Sequence, residues 1–271
     1  MNERQRGGVV SVSAKAPLSN GHRGVLTCPR PQANPAIRLV CFAHSGGNPR
    51  MFQPWVDQLA PEIELWWVTL PGRGPRWREP HARVWEPLVA DIAEAVVAHV
   101  PRPVALFGHS LGALLAFDVA LRLSDAGLPP EHLFVSARAH PRRQFTLDLP
   151  EDDTELLRLV DRVYRGVPEA ILDSPELAEH FAPTLRADLM LGADYRYRGA
   201  GTLSVPITAL GGVDDPMTPT EELAAWQDRT TATARWRQFP GGHFYLDESE
   251  AGVLRTIRRA LAAPMGKGAE R

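Results

Sequence analysis

Residues 104–113 read VALFGHSLGA, a short apolar run followed by the pattern Gly-x-Ser-x-Gly, and the chain continues into the helical sequence ALLAFDVALRL. This order of strand, tight turn and helix is the setting in which a nucleophilic serine stands at the end of a sheet strand. Gly108 and Gly112 suit such a turn because a side chain at either position would collide with the neighbouring strand or helix. The pattern makes Ser110 the candidate nucleophile. The alternative is a glycine turn in which Ser110 only caps the helix.

Short apolar runs alternate with helical patterns on both sides of this segment. The predicted strands are residues 37–43, 65–70, 104–107, 133–136, 207–210 and 236–239. The predicted helices outside the 146–200 interval are residues 85–100, 112–124 and 248–261. Because the strands are apolar on both faces and helices separate them, the sequence predicts an α/β fold with a mostly parallel central sheet flanked by helices.

The interval from about 146 to 200 breaks this alternation, because its patterns are helical only. Helices are predicted at 152–164, around 176–181 and at 185–195, with Pro183 separating the last two. We expect an all-helical cap, or lid, inserted after the sixth strand. It would cover the carboxyl edge of the sheet, where ligands bind in open α/β folds.

The composition is that of an ordinary globular protein, with 271 residues, 44% hydrophobic and 23% charged. We expect one domain at 36–263, between disordered tails at 1–35 and 264–271 that are too polar to bury a core. The 30 basic and 32 acidic residues predict no general binding of nucleic acid. No apolar run reaches the roughly 18 residues of a membrane span. The absence of a secretion-signal core and the presence of only two cysteines favour a cytoplasmic location.

A serine hydroxyl needs a base to become a nucleophile, and in this type of site the acid and then the histidine follow the serine along the chain. His243 is the candidate base, because it follows the last predicted strand and the glycines of Pro240-Gly-Gly-His243 allow its loop to turn back. A histidine on a surface loop is the alternative. The acid is expected after the preceding strand, where Asp214 and Asp215 are adjacent, and the spacing favours Asp215 over Asp214.

Two backbone N–H groups are expected to stabilise the negative charge that develops on the carbonyl oxygen. We predict these donors to be Leu111, directly after the nucleophile, and Ser45, in the turn after the first predicted strand. His44 and His109 flank this spot and are expected to be structural or to contact substrate. Three apolar cap residues are expected to border an acyl chain or only to pack within the cap: Leu185, Leu189 and Met190.

Over about residues 37–262 the chain resembles the type II (discrete, editing) thioesterases of polyketide and nonribosomal peptide synthesis. The motifs that carry the resemblance are CFAHSGG, LPGRGPRWREP, FGHSLGA, SPELAEHFAPTLRADLMLGADYRY, ALGGVDDPMTP and FPGGHFYL. Two positions depart from the family pattern. Ser45 stands where the family often has alanine, and Arg165-Gly166-Val167-Pro168 replaces a common Gly-Gly-Thr-Pro run, which we expect to affect the cap's hinge or acyl channel.

The resemblance implies the α/β-hydrolase fold and hydrolysis of acyl thioesters on the phosphopantetheine arm of acyl or peptidyl carrier proteins, removing aberrant or precursor acyl groups. It implies carrier domains as partners and no metal or other cofactor, and we take a monomer as the default. The alternatives are an esterase or peptidase of the same fold acting on small oxygen esters or amides, and a non-catalytic carrier-binding homologue. Because carrier proteins are usually acidic, one of three arginine clusters is a candidate docking surface, with solvated arginines as the alternative. The clusters are Arg73, Arg76 and Arg78; Arg142 with Arg143; and Arg196 with Arg198.

Overall fold

The computed structural model of the protein describes residues 22, 24–143, 148–197 and 201–262. Within these ranges seven strands form one sheet in the order β1-β3-β2-β4-β5-β6-β7, and every neighbouring pair is parallel except β1 with β3. The strands are β1 (Leu26–Thr27), β2 (Ile37–Phe42), β3 (Ile63–Val68), β4 (Val104–His109), β5 (Leu133–Ser136), β6 (Ile207–Gly212) and β7 (Ala234–Phe239). The predicted mostly parallel sheet is confirmed.

Helices cover both faces of this sheet. Outside the cap they are α1 (Gln53–Leu59), α2 (Trp85–His99), α3 (Leu111–Asp125), α7 (Thr220–Ala224) and α8 (Leu246–Ala262). Side chains of β2 alternate between the two cores: Val40 and Phe42 join the core under α2 and α3, and Leu39 and Cys41 join the core under α1 and α8. This alternation is why the strands read as continuous apolar runs. No helix in the described ranges combines the length and the apolarity needed to cross a lipid bilayer.

The predicted disorder of residues 1–35 is wrong for the part of that segment from residue 24 onwards. Val25 and Leu26 are 0% and 3% exposed, and β1 pairs antiparallel with the edge of β3, Leu26 opposite Val68. The composition of residues 1–35 is polar on average, and this average obscures the two apolar residues, Val25 and Leu26, that are buried at the edge of the sheet. Residues 1–21, 23 and 263–271 lie outside the described residues, so the tails predicted there stay predictions.

Within the described residues, the only regular secondary structure of the insertion between β5 and β6 is helical, and comprises α4 (Asp153–Tyr164), α5 (Glu169–Leu172) and α6 (Pro175–Ala193). Residues 144–147 and 198–200 of the predicted cap lie outside the described residues. In the described sheet the insertion lies between the fifth strand, β5, and the sixth, β6, so its predicted place after the sixth strand is wrong.

The predicted helix break at Pro183 is also wrong, because Pro183 lies inside α6. A proline in a helix removes one backbone donor, but packing can outweigh that loss. Ala178, Ala182 and Leu185 of α6 pack against α4 in a small core of the cap's own. That burial spans the proline on both sides, so the helix continues through it.

Candidate active site

Ser110 occupies a strained turn between β4 and α3, with φ 56° and ψ −115°. A Cβ atom on Gly108 would lie 2.1 Å from the carbonyl oxygen of Gly112, and one on Gly112 would lie 2.3 Å from the carbonyl oxygen of Phe42. Only glycine fits at both positions, as the motif predicts. The Ser110 side chain makes no capping hydrogen bond to α3, so Ser110 is not the helix-capping serine of the alternative interpretation.

The loops after β6 and β7 bring an acid and a histidine to Ser110. His243 Nε2 lies 3.0 Å from Ser110 Oγ, and His243 Nδ1 lies 2.9 Å from Asp215 Oδ2. His243 and Asp215 are 4% and 3% exposed. Asp214 is exposed, and its backbone N–H donates to the carbonyl oxygen of Gly241. Of the two candidate acids, Asp215 is therefore the one in contact with the histidine.

The surroundings of Asp215 favour its ionised form. Burial raises the pKa of this carboxyl, but hydrogen bonds from His243, from the Met217 N–H (2.9 Å) and from the Thr218 hydroxyl (2.8 Å) outweigh it, so the pKa lies below its ordinary value. A carboxylate here accepts the Nδ1 proton of His243 and leaves Nε2 free to accept a proton from Ser110.

The turn after β2 presents backbone donors beside Ser110. The Gly47 N–H donates to the His44 carbonyl at 3.0 Å, and Gly46 has φ +71°. Ser45 and Leu111 line the same cleft as Ser110, and within the described ranges neither of their N–H groups donates to a protein acceptor. Both are available to a substrate oxygen, and their role as an oxyanion hole stays a prediction.

A cleft lies between the sheet edge and the cap. It is lined by Ser110, by His44 and, from α6, by Leu185 and Leu189. Met190 is 54% exposed and, unlike the other two predicted cap residues, does not line the cleft; a contact of any of the three with an acyl chain stays a prediction. Leu185 and Leu189 are four residues apart and share a helix face, whereas Met190 is turned by about 100° from Leu189.

Of the two other histidines near the motif, His109 is buried and His44 is half-buried. The His44 ring nitrogen Nδ1 lies 2.9 Å from the Ser45 carbonyl oxygen, and burial lowers the pKa of His44. His109 is fully buried behind the cleft, with Nδ1 2.8 Å from the hydroxyl of Ser136 in β5, and burial holds its pKa well below the ordinary value. His109 therefore ties β4 to β5 as a neutral side chain and does not line the cleft, while His44 does.

Several residues that line the cleft were not predicted, and three of them carry polar side chains: Arg138, Tyr164 and Asp188. The Tyr164 ring lies 4.7 Å from the His243 ring, and burial lowers the pKa of Arg138 to about 10. Arg138 follows β5, and a polar residue after a parallel strand is a signal that could have found it. Asp188 could have been found as a carboxylate on the same helix face as Leu185 and Leu189.

Of the arginine clusters predicted as docking surfaces, the one made of Arg73, Arg76 and Arg78 is largely internal. Arg73 pairs with Asp188, and Arg76 pairs with Glu79 at 2.6 Å and is 7% exposed. The prediction is wrong for these two residues, because their guanidinium groups are already used in ion pairs within the fold. Arg78 is exposed, with its guanidinium 4.7 Å from the centre of the Trp77 ring.

Residues 37–261 of the chain match the family described as the thioesterase domain. Thioesterase PikA5 of Streptomyces venezuelae is 37% identical over 244 residues, which cover 87% of this chain and 85% of the relative. The solved RedJ thioesterase from the prodiginine biosynthetic pathway in Streptomyces coelicolor has a TM-score of 0.79 and 34% identity, covering 86% of this chain and 92% of that one. The type II thioesterase BorB from the borrelidin biosynthetic cluster has a TM-score of 0.80 and 35% identity, covering 91% and 100%.

Proposed function

The chain belongs to the thioesterase family, and from this premise we propose that it hydrolyses acyl thioesters held on the phosphopantetheine arm of acyl or peptidyl carrier proteins. The proposed role is the removal of aberrant or precursor acyl groups during polyketide or nonribosomal peptide biosynthesis, in keeping with the biosynthetic pathways for which its relatives are named. The observation that carries the proposal is the hydrogen-bond chain Ser110–His243–Asp215 in a cleft beneath a helical cap.

In the first half-reaction Ser110 Oγ attacks the thioester carbonyl carbon while its proton passes to His243 Nε2. Asp215 stabilises the imidazolium that forms, and the N–H groups of Ser45 and Leu111 stabilise the oxyanion. The tetrahedral intermediate then collapses with cleavage of the C–S bond. The leaving sulfur takes the proton from His243, which leaves an acyl group esterified to Ser110.

The second half-reaction repeats these steps with water. His243 accepts a proton from the attacking water, the new tetrahedral intermediate is stabilised by the same N–H groups, and collapse returns the proton to Ser110 Oγ. The products are a free carboxylic acid and the thiol of the arm. Because His243 carries each proton, the proposed chemistry calls for no metal or other cofactor.

The cleft walls suit an acyl chain with apolar character. Val160 of α4 and Leu185 and Leu189 of α6 face the space that Ser110 and His243 also line. An apolar wall favours burial of methylene groups by about 0.8 kcal/mol each. All groups in the proposed mechanism come from one chain, so a monomer is sufficient for it. The proposed reaction takes place in the cytoplasm, on the carrier domains of a synthase.

Hydrolysis of carrier proteins loaded with acyl groups of graded length tests the proposal, alongside matched small thioesters and oxygen esters. The wild type should prefer the thioesters, and Ser110→Ala should lower kcat by at least about 10³-fold. A preference for oxygen esters would favour an esterase. Binding of the loaded carrier without turnover by the wild type would favour a non-catalytic homologue.

A further inference from the structure

We propose that Asp188, on the cap helix α6, is a positioning residue that holds the 44–47 loop in the conformation in which the Ser45 N–H stabilises the oxyanion. The inference rests on the proposed function, because it assigns a role inside the same acyl-transfer site. According to this proposal, the oxyanion hole is complete only when cap helix α6 is in contact with the 44–47 loop.

The Asp188 carboxylate is 3% exposed and joins three segments of the chain. Its Oδ2 accepts a hydrogen bond from the Gly46 N–H at 2.7 Å and another from Arg73 Nη1 at 2.7 Å. Its Oδ1 accepts from Arg73 Nη2 at 2.6 Å. Arg73 Nη1 also donates to the carbonyl oxygen of Gly47 at 3.3 Å. The peptide groups directly after Ser45 are therefore held from the cap and from the loop after β3.

The 44–47 loop needs such support because its own sequence does not set its conformation. Gly46 and Gly47 are adjacent, and glycine restricts the backbone less than any other residue. Gly46 has φ +71°, and a Cβ atom there would lie 3.1 Å from Leu185 Cδ1. Helix α6 is thus in close contact with the loop at Leu185 and holds it through Asp188, which lies three residues further along the same helix face.

A buried carboxylate is unfavourable unless it is paired and hydrogen-bonded. The bidentate Arg73 pair neutralises Asp188 and fixes the direction of both oxygens. Displacement of α6 would separate this carboxylate from the Gly46 N–H and from Arg73 at once. The direction of the Ser45 N–H therefore depends on where the cap sits, although no cap residue donates to the oxyanion in the proposed mechanism.

Kinetics of Asp188→Asn test the role. We expect kcat for an acyl thioester to fall about 10- to 100-fold with KM within about threefold, because the loop is misplaced in the transition state while the acyl cleft persists. A trifluoromethyl ketone analogue, which forms an oxyanion adduct with a serine, should lose affinity by the same factor as kcat. A non-hydrolysable thioether analogue should bind as it does to the wild type.

Two variants serve as matched controls. Asp153→Asn removes the 2.8 Å ion pair between Asp153 of α4 and Arg186 of α6, which secures the same helix but does not touch the 44–47 loop. Glu64→Gln neutralises another buried carboxylate, 1% exposed on β3 and bonded to the Trp66 indole at 2.8 Å. Both should keep kcat within about twofold of the wild type, since neither lies near a transition-state contact.

The proposal is overturned if Asp188→Asn lowers kcat no more than Asp153→Asn does, or if the ketone and the thioether lose affinity equally. Because Asp188→Asn leaves Arg73 unpaired, the double variant Asp188→Leu with Arg73→Met removes both charges at similar volume, and should show the same selective loss in a folded protein. If the wild type hydrolyses only oxygen esters, the proposed thioesterase function fails, and the same comparison with the ester still tests Asp188. If the wild type hydrolyses neither thioesters nor oxygen esters, the role of Asp188 is tested by whether Asp188→Asn lowers the affinity for the ketone more than the affinity for the thioether.

Discussion

Replacing Asp215 with asparagine should abolish most activity while leaving the fold intact, and the hydrogen bonds explain why. The Met217 N–H donates to Oδ1, while His243 Nδ1 and the Thr218 hydroxyl share Oδ2. An asparagine satisfies the Met217 N–H only if its carbonyl takes the place of Oδ1. Its NH₂ group then faces His243 and Thr218, whose hydroxyl can turn to accept.

That arrangement places a donor opposite His243 Nδ1, so the ring must carry its proton on Nε2 instead. In this tautomer Nε2 donates toward Ser110 and cannot accept its proton. In a serine–histidine–aspartate site, the wrong tautomer lowers kcat by about 10⁴-fold, equivalent to about 5.5 kcal/mol in the activation barrier. We expect a loss of that size for Asp215→Asn, with little change in the thermal unfolding midpoint because every polar group keeps a partner.

Steady-state release of thiol from an acyl thioester measures this loss, and nitrogen-15 NMR of the histidine ring reports the tautomer directly. Asp214→Asn is the matched control, because Asp214 is the adjacent carboxylate, is exposed and contacts the loop through its backbone N–H. A decrease in kcat of less than tenfold for Asp215→Asn, or equal decreases for the two variants, would refute the reasoning.

Three further predictions follow from the backbone and from the acid. Gly112→Ala should lower the free energy of unfolding by about 3 kcal/mol or more, because the new Cβ would lie 2.3 Å from the Phe42 carbonyl oxygen. Gly127→Ala, with nothing within 4 Å, should cost only about 1 kcal/mol through its φ of +73°, and equal losses in denaturant titrations would contradict this steric account. Arg165→Gly should raise the free energy of unfolding by about 1 kcal/mol, because Arg165 ends α4 at φ 56°, where glycine is unstrained, and a lower unfolding midpoint would count against it. The lowered pKa of Asp215 should stabilise the fold at every pH above the unfolded value of about 3.9 and lose that contribution as the pH falls through the folded pKa. The free energy of unfolding of the wild type minus that of Asp215→Asn, small at neutral pH, should therefore be constant above about pH 5 and become more negative below pH 4, and a difference independent of pH down to pH 2 would contradict this.

Interactions between residues close in the chain could be read from the sequence. The collision that excludes side chains from Gly108 involves Gly112, four residues away, so the motif alone predicts the turn at Ser110. The alternation of apolar residues along the strands likewise predicts a sheet covered on both faces, and the predicted family is confirmed by the match over residues 37–261. These features depend on local sterics and on periodicity, which a linear pattern carries.

Other features were decided by contacts between distant segments. The spacing favours Asp215 over its neighbour Asp214, but the contact that assigns the acid comes from His243, on the loop after β7. The helix break expected at Pro183 fails because packing against α4 outweighs a local signal.

Asp188 reads as one acid in an amphipathic helix until Arg73 and Gly46, 115 and 142 residues away in the chain, meet its carboxylate. Steric restrictions between residues that are close in the chain can be read from the sequence. The role of a buried charge depends on the partners that folding brings into contact with it, and these partners are distant in the sequence.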